Sequence, residues 1–408
     1  MDVPGVVRPA TEWELSSLIA AAAERGKPIE VLGAGTKRDV GRPVQAALTI
    51  STTSLRGITL YEPTELVMSA QAGTLLADVE GQLAAKGQML PFEPIDLGPV
   101  LGGEAGRGTI GAVFATNLSG SRRVVTGAAR DHLLGVRAVN GRGEAFKSGG
   151  RVMKNVTGYD IARGLAGSWG TLAVLTEVTF KVVPRPEETA TLVLSGLTDD
   201  LATEVMCQAL GTPYEVSGAV HLPQVMASRL RTSELRDLRK SVTALRIENF
   251  SKFVRYRCEK LRENLEPYGK AEVLGDDVSR AFWDEMRQLS VLQGDQRPLW
   301  RISTKPTFGH KVVEAIRQYM PVDAFYDWSG GLIWLEVPVS ADAGASDIRR
   351  VIAQYGGHAT LMRAEPAVRA AIDVLQPLEP GAERLSRGIK AAFDPAGILN
   401  PGRMYALS

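Results

Sequence analysis

Cysteine is scarce in this chain of 408 residues, whose two cysteines are Cys207 and Cys258. Two cysteines so far apart in sequence cannot form a disulfide framework, and they fall short of the four thiolates that usually hold an iron–sulfur cluster. So few cysteines favour a reducing compartment. The sequence therefore predicts a cytoplasmic protein with no cluster of its own.

An excess of charge and long apolar runs are lacking as well. The formal net charge of +1 provides no electrostatic basis for binding nucleic acid or an anionic membrane. No apolar run approaches the roughly 18 residues needed to cross a bilayer, and residues 1–15 lack the segments of a signal peptide. With 44% hydrophobic and 23% charged residues, the composition is that of a soluble globular protein of two or three domains.

Histidine is also rare. The four histidines are His132, His221, His310 and His358, and no two of them are close in sequence. Because metal-binding histidines usually recur at short spacings, we predict no metal site. Dispersed histidines are most often ordinary surface or core residues.

Among the residues that are present, the segment VLGAGTK follows a predicted strand, PIEVL. It matches neither a Walker A loop, which needs Gly-x4-Gly-Lys-Ser/Thr, nor the Rossmann fingerprint, which needs a third glycine. Its glycines can turn tightly and point backbone N–H groups at one place. Alone, the segment is either an empty turn or a pyrophosphate-binding loop formed by Val31, Leu32, Gly33, Ala34, Gly35, Thr36 and Lys37.

Glycine is concentrated between Gly98 and Gly170, where 17 of 73 residues are glycine, against a usual level near 7%. Core residues are interleaved with these glycines, which indicates a backbone that approaches something flat or charged.

The segment PRPEET (184–189) indicates a domain boundary. Beyond it, helices are predicted near 199–210, 224–240, 253–265, 279–290, 309–319 and 346–355, with strands near 191–195, 243–249, 271–274, 299–304, 324–327, 331–338 and 359–363. We detect no internal sequence repeat.

Two long segments are more specific than the opening motif. They read TIGAVFATNLSGSRRVVTGAARDHLLGV (109–136) and GGRVMKNVTGYDIARGLAGSWGTLAVLTEVTFKVVPRP (149–186). With these, the chain resembles the vanillyl-alcohol-oxidase, or PCMH-type, flavoproteins. The segments PLWRIS (298–303), DWSGGLIWLEV (327–337), GGHATLMRAE (356–365) and FDPAGILNPGRMY (393–405) resemble one family within them, the E subunits of bacterial glycolate oxidase.

The resemblance implies an α+β fold: a PCMH-type FAD-binding domain of two α+β subdomains over 1–186, and an α+β cap domain with an antiparallel sheet over 187–380. A C-terminal segment, 381–408, would return to the FAD domain. Besides the pyrophosphate loop, it implies FAD contacts from Gly102, Gly108, Thr109, Ile110, Gly111, Thr116, Asn117, Leu118, Ser119, Gly170, Thr171 and Val174. Many relatives carry a histidine that bonds covalently to the flavin near this loop. No histidine precedes His132 here, so we predict non-covalent FAD.

Oxidation of a hydroxy acid needs a cation for the carboxylate and a base for the hydroxyl proton. The cations that we nominate are Arg301, Lys305, Arg363 and Arg403, and the base is His358. The alternative is equally open: either strand arginine, Arg301 or Arg363, would pair with a cap carboxylate such as Glu336 or Glu365. A structural role for His358 also remains open.

The resemblance implies a FAD-binding subunit of a glycolate dehydrogenase or oxidase complex that oxidises glycolate to glyoxylate. Its expected partners are a homologous FAD-binding catalytic subunit and an iron–sulfur subunit, and the complex could attach the chain peripherally to a membrane. Two alternatives remain: a self-sufficient FAD-dependent D-2-hydroxy-acid dehydrogenase of the D-lactate type, and a structural flavin-binding partner subunit.

Overall fold

The computed structural model describes residues 5–150 and 159–406. The strands found in these residues are mostly short and buried on at least one face. They are β1 (Val6–Val7), β2 (Ile29–Leu32), β3 (Leu48–Ser51), β4 (Ile58–Glu62), β5 (Val67–Gln71), β6 (Gln88–Met89), β7 (Leu133–Asn140), β8 (Ala145–Gly149), β9 (Ala173–Lys181), β10 (Val183–Pro184), β11 (Glu188–Ser195), β12 (Val216–Leu222), β13 (Val242–Asn249), β14 (Glu272–Leu274), β15 (Leu299–Ser303), β16 (Asp323–Asp327), β17 (Leu332–Glu336) and β18 (His358–Arg363).

The α-helices in the same residues range from four to fifteen residues in length. They are α1 (Glu12–Glu24), α2 (Leu76–Ala84), α3 (Ile110–Thr116), α4 (Arg123–Thr126), α5 (Ile161–Leu165), α6 (Asp199–Leu210), α7 (Gln224–Ala227), α8 (Ser233–Arg236), α9 (Ser251–Leu265), α10 (Asp276–Arg287), α11 (Gly309–Arg317), α12 (Ala345–Tyr355), α13 (Pro366–Ala371) and α14 (Pro380–Phe393).

The chain forms two units, and the first contains residues 5–119, 127–150, 159–185 and 377–406. It has a parallel three-stranded sheet in the order β1-β3-β2 and an antiparallel five-stranded sheet in the order β4-β5-β9-β7-β8. Helix α1 begins where the Thr11 hydroxyl accepts a hydrogen bond from Glu14 N (3.1 Å), and it buries Leu15 and Ile19 in the core of the smaller sheet.

The larger sheet of this unit packs against α2 and α3 through a second core, which contains Phe92, Phe114 and Phe180. The C-terminal segment belongs to the same unit, because its backbone bonds to the smaller sheet: Ile29 N donates to Ile398 O (2.7 Å) and Asn400 N donates to Ile29 O (2.9 Å). A strand of the N-terminal region is thus completed by residues from the far end of the chain.

The second unit contains residues 120–126 and 186–376. Its eight-stranded sheet has the order β14-β11-β13-β12-β16-β17-β15-β18, with antiparallel neighbours. The order is two βαββαβ arrangements side by side, β11-α6-β12-β13-α9-β14 and β15-α11-β16-β17-α12-β18. One pair, His221 and Tyr326, joins them. The topology therefore repeats although the sequence shows no repeat.

The predicted α+β class and antiparallel cap sheet are confirmed, with local differences. Helix α6 has the predicted bounds, but the helix expected over 224–240 is two short helices, α7 and α8. Strand β12 was not predicted, because its seven residues are all buried and polar residues interrupt its apolar ones. Segment 120–126 was expected in the first domain and groups with the second unit, where Arg122 bonds to Glu248 (2.9 Å, Nε to Oε2).

Candidate functional site

A cleft with an empty volume of about 700 Å³ opens in the first unit. All seven residues of the predicted pyrophosphate loop, from Val31 to Lys37, line it. Four more predicted cofactor residues share the lining: Gly111, Thr116, Gly170 and Val174. The structure therefore brings together residues that are far apart in sequence, since the lining runs from Val31 to Leu175 and also includes the C-terminal Arg403.

The loop requires glycine at two positions. Gly35 has a φ of +83°, a left-handed conformation that side chains with a Cβ rarely adopt. A Cβ added to Gly33 would lie 2.3 Å from the hydroxyl oxygen of Thr109, which is shorter than any tolerated contact. The hydroxyl group of Ser51 donates to Gly33 O (2.8 Å) and so holds the turn open on its other side.

Two polar side chains lack a hydrogen-bond partner among the described residues: Lys37, which lines the cleft, and Thr109, which lies next to the lining residue Gly33. Thr109 Oγ1 is buried and makes no hydrogen bond. Lys37 is 7% exposed, and burial lowers the pKa of its ammonium group, although the negative charge of Asp96 opposes that shift. A buried donor and a buried cation beside a turn of free N–H groups suit a bound anion. The residues present thus fit the pyrophosphate of FAD.

Three residues that line this cleft were either not predicted or predicted for another role. Arg403 was nominated as a cation for the substrate carboxylate. Its guanidinium group instead donates to Lys37 O (2.8 Å), and its Cζ lies 5.8 Å from the ring centroid of Trp169. Trp169 and Arg38 also line the cleft, and neither was predicted. The only sequence signal for them was their place next to a predicted glycine or lysine.

The other predicted cofactor residues do not line the cleft, and several have internal roles. Asn117 accepts a hydrogen bond from Arg130 N (3.0 Å) and Ser119 Oγ accepts one from Ala129 N (3.3 Å). Thr171 Oγ1 donates to Ser168 O (2.7 Å). Ile110 and Leu118 are core residues, while Gly102 and Gly108 shape the preceding loop. Their contact with FAD stays a prediction.

The second unit holds a further unpaired cation, Arg301 on β15. It is 8% exposed, its Nε has no hydrogen-bond partner, and its Cζ lies 5.0 Å from the ring centroid of Trp328. Burial and the positive charge of Arg123 lower its pKa to about 10, against the opposing charge of Asp327. Arg301 remains a cation at neutral pH, so a buried positive charge is available to an anion.

His358 lies near Arg301 in the sheet. Arg301 is paired with Thr360 on β18, and Ser303 is paired with His358. His358 and Arg301 are therefore diagonal neighbours on one face of the sheet, a position that typically separates the Cα atoms by about 7–8 Å. Desolvation and the positive charges of Arg301, Arg123 and Arg349 lower the pKa of His358. Its imidazole is therefore neutral at pH 7 and can accept a proton.

The remaining nominated cations are placed differently. Arg363 donates to Glu336 Oε1 (3.1 Å), to Arg297 O (2.8 Å) and to Leu292 O (3.0 Å). Glu336 is fully buried and also accepts from Arg229 (2.6 Å), so Arg363 takes the pairing that our sequence analysis left open. Lys305 is exposed, with its Nζ 5.2 Å from the ring centroid of Phe308.

Other site types are absent from the residues that the structure describes. Within 5–150 and 159–406, no group of three or more His, Cys, Asp and Glu residues could hold a metal ion. Across the same residues, none of the helices combines the length and apolar character needed to cross a membrane. Both cysteines are free thiols, and burial raises the pKa of Cys258 to about 11.

Comparison with known proteins identifies the family of this chain and its FAD-binding domain. A family model described as a FAD binding domain matches residues 3–149. The glycolate oxidase subunit GlcE of Escherichia coli (strain K12) is 34% identical over 384 residues, which cover 93% of this chain and 93% of that protein. The glycolate oxidase subunit GlcD of Bacillus subtilis (strain 168) is 25% identical over 98% of this chain and 88% of that protein.

The solved structures extend the comparison to the fold. The 4-ethylphenol oxidase from Gulosibacter chungangensis matches with a TM-score of 0.73 at 14% identity, over 98% of this chain and 88% of that chain. The predicted fold is confirmed by this likeness, and FAD as the cofactor is confirmed by the matching domain. Non-covalent attachment stays a prediction.

Proposed function

The chain belongs to the family of the glycolate oxidase subunit GlcE, and from this premise we propose that it is the FAD-binding subunit of a complex that oxidises glycolate to glyoxylate. It is a FAD-linked oxidoreductase. The observation that carries the proposal is the cleft lined by the buried Lys37, beside which the buried Thr109 hydroxyl has no hydrogen-bond partner, because a dinucleotide pyrophosphate would fit there.

The residues that would hold FAD are those of the pyrophosphate loop, together with Gly111, Thr116, Gly170 and Val174. Bound FAD supplies a two-electron acceptor to a complex of this kind. Lys37 would balance the charge of the pyrophosphate, and the N–H groups around Gly35 would donate to it. A charge-assisted hydrogen bond of this type contributes about 1.5–3 kcal/mol.

Arg301 is our candidate for the substrate carboxylate. A guanidinium group binds a carboxylate through two parallel hydrogen bonds, and the buried Nε of Arg301 has no hydrogen-bond partner in the described protein. His358, whose neutral form is favoured by its lowered pKa, would take the proton of the C2 hydroxyl group. Arg301 lies on β15 and His358 on the neighbouring strand β18, so one sheet positions the cation and the base.

The proposed partners are a homologous FAD-binding subunit and an iron–sulfur subunit. The likeness to two differently named glycolate oxidase subunits supports the first. The second is proposed because a reduced flavin must pass its electrons to an acceptor. This chain cannot hold an iron–sulfur cluster itself, since it has two separate free thiols. We place the chain in the cytoplasm, where its thiols stay reduced, with any membrane attachment made through the complex.

The test is anaerobic reduction of the flavin. The FAD-loaded chain is mixed with glycolate, first alone and then with its two partner subunits, and flavin absorbance is recorded. We expect bleaching in the assembled complex. Repeated turnover of glycolate or D-lactate by the isolated chain with a small-molecule electron acceptor and no partner subunit would instead identify a self-sufficient dehydrogenase. A purified chain that neither carries FAD nor gains thermal stability from it would overturn the proposal.

A matched pair of variants sharpens this test. Arg301→Met removes the unpaired cation, whereas Arg350→Met removes an arginine of the same unit that is 54% exposed and pairs with Asp347. Only Arg301→Met should weaken glycolate binding to the FAD-loaded chain, measured by titration calorimetry. Equal glycolate affinity in both variants would exclude Arg301 as the carboxylate site.

A further inference from the structure

The C-terminal motif FDPAGILNPGRMY (393–405) contains a buried asparagine, Asn400, which is 1% exposed and has a φ of +42°. Its side chain makes three hydrogen bonds to backbone groups. Oδ1 accepts from Val31 N (2.8 Å), and Nδ2 donates to Trp169 O (2.8 Å) and to Val31 O (3.4 Å). Val31 and Trp169 both line the cofactor cleft, so all three bonds act on its walls.

The same segment holds the other end of the pyrophosphate loop. Arg403, three residues after Asn400, donates to Lys37 O (2.8 Å) and to Arg38 O (3.4 Å). Arg42 N in turn donates to Arg403 O (2.9 Å). The loop from Val31 to Lys37 is therefore fixed at its first residue by Asn400 and at its last by Arg403. Between these two points its backbone N–H groups remain available to a ligand.

We propose that Asn400 is a positioning residue that couples the C-terminal segment 394–405 to FAD binding. A glycine-rich loop loses conformational freedom when it binds an anion, and that loss lowers affinity unless the loop is already held in place. Asn400 holds it before FAD arrives. By reciprocity, bound FAD must stabilise the docked C-terminal segment. The inference rests on the assignment of FAD to this cleft.

The experiment compares two asparagines with equal numbers of side-chain hydrogen bonds. Asn400→Gly removes three bonds and keeps a residue that adopts a positive φ without strain. Asn140→Gly, in a hairpin outside the cleft, also removes three: Oδ1 accepts from Arg142 N (2.9 Å) and Glu144 N (3.0 Å), and Nδ2 donates to Glu144 Oε2 (2.8 Å). We expect Asn400→Gly to weaken FAD binding about ten-fold or more and Asn140→Gly to leave it unchanged, as measured by flavin fluorescence.

Hydrogen exchange supplies a readout that a merely structural role would not move. In the natural chain, FAD should slow exchange of the amides in 394–405 as well as in the loop. In Asn400→Gly, FAD should still slow exchange in the loop, but the slowing in 394–405 should be reduced, because the bonds of Asn400 are lost and those of Arg403 remain. The inference is overturned if FAD leaves the segment's exchange unchanged, or if Asn400→Gly and Asn140→Gly bind FAD equally well.

The two assignments fail in different ways. If Lys37→Met weakens FAD binding while Asn400→Gly does not, the cleft holds FAD and the role of Asn400 is wrong. If neither substitution changes FAD affinity, the assignment of FAD to the cleft fails, and the inference about Asn400 fails with it.

Discussion

Arg246 and Arg301 lie on the same face of the eight-stranded sheet, one in each βαββαβ half. Their sequence neighbours, Leu245 and Ile247 in one case and Trp300 and Ile302 in the other, pack in the core formed with helices α6, α9, α11 and α12, so both arginines lie on the opposite face of the sheet. Both are nearly buried, at 1% and 8% exposure. Each also stands over a tryptophan ring, with Cζ 4.5 Å from the centroid of Trp283 or 5.0 Å from that of Trp328.

The two arginines differ in their access to a carboxylate. Glu248 lies 3.3 Å from Arg246 Nε and also accepts from Arg122 and from Ser217 Oγ (2.6 Å). Arg301 has no such partner among the described residues, and its Nε is unsatisfied. Glu248 thus occupies, in one half of the sheet, the role that we assign to a substrate carboxylate in the other. We therefore interpret Arg246, which has a carboxylate partner in the protein, as structural. Arg301 has none among the described residues and can bind the carboxylate of a ligand.

The largest effect should come from Glu248→Ala. This substitution leaves Arg246 and Arg122 without their carboxylate in a buried site, which we expect to cost about 3–5 kcal/mol of unfolding free energy. Denaturant unfolding measures it. Glu215→Ala, which removes the exposed partner of Arg257, is the control and should cost less than about 1 kcal/mol. Similar losses in both variants would show that Glu248 is not needed to neutralise the buried arginines.

The converse substitution, Arg301→Met, should leave stability almost unchanged, because Nε has no hydrogen-bond partner in the described protein and the removal of a buried charge offsets the lost contact with Trp328. Its effect should fall on ligand binding: a desolvated guanidinium–carboxylate pair is worth about 2–5 kcal/mol. Glycolate affinity of the FAD-loaded chain is the measurement. If Arg301→Met destabilises the protein as strongly as Glu248→Ala, the distinction between the two arginines is wrong.

The stability that Glu248 contributes should depend on pH. Burial raises the pKa of Glu248, but the charges of Arg246 and Arg122 and its hydrogen bonds outweigh this and lower it from 4.5 to about 2. A depressed pKa contributes stability that is present above pH 4.5 and is lost as the pH falls towards 2, here about 3 kcal/mol. The measurement is unfolding free energy against pH in the natural chain and in Glu248→Gln. The difference between them should shrink across this window; a constant difference would contradict the prediction.

The sequence predicts local features of this comparison and misses its long-range ones. Arg301 was nominated as a cation within a predicted strand, and helix α6 has the predicted bounds because its periodicity is regular. The pairing of Arg122 with Glu248 joins residues 126 positions apart, and no local pattern encodes it. The same holds for Asn400, whose partners are 369 and 231 positions away. Glycine spacing located the loop, but only the fold shows what holds it.

The smallest effect extends the comparison to the first unit, where Lys37 is a buried cation with no salt bridge to a described residue. The carboxylate that opposes its pKa shift, Asp96, accepts from Gly98 N (3.0 Å) and Gly106 N (2.7 Å), so that carboxylate stabilises its own loop. Lys37→Met should therefore weaken FAD binding by about 1.5–3 kcal/mol, while the protein without FAD keeps or gains stability because a desolvated charge is removed. Flavin fluorescence and thermal unfolding measure the two quantities, with the exposed Lys86→Met as the control. If Lys37→Met is less stable than the natural chain without FAD, Lys37 is already neutralised within the protein, as Arg246 is. If Lys37→Met binds FAD with unchanged affinity, the charge of Lys37 does not contact the pyrophosphate.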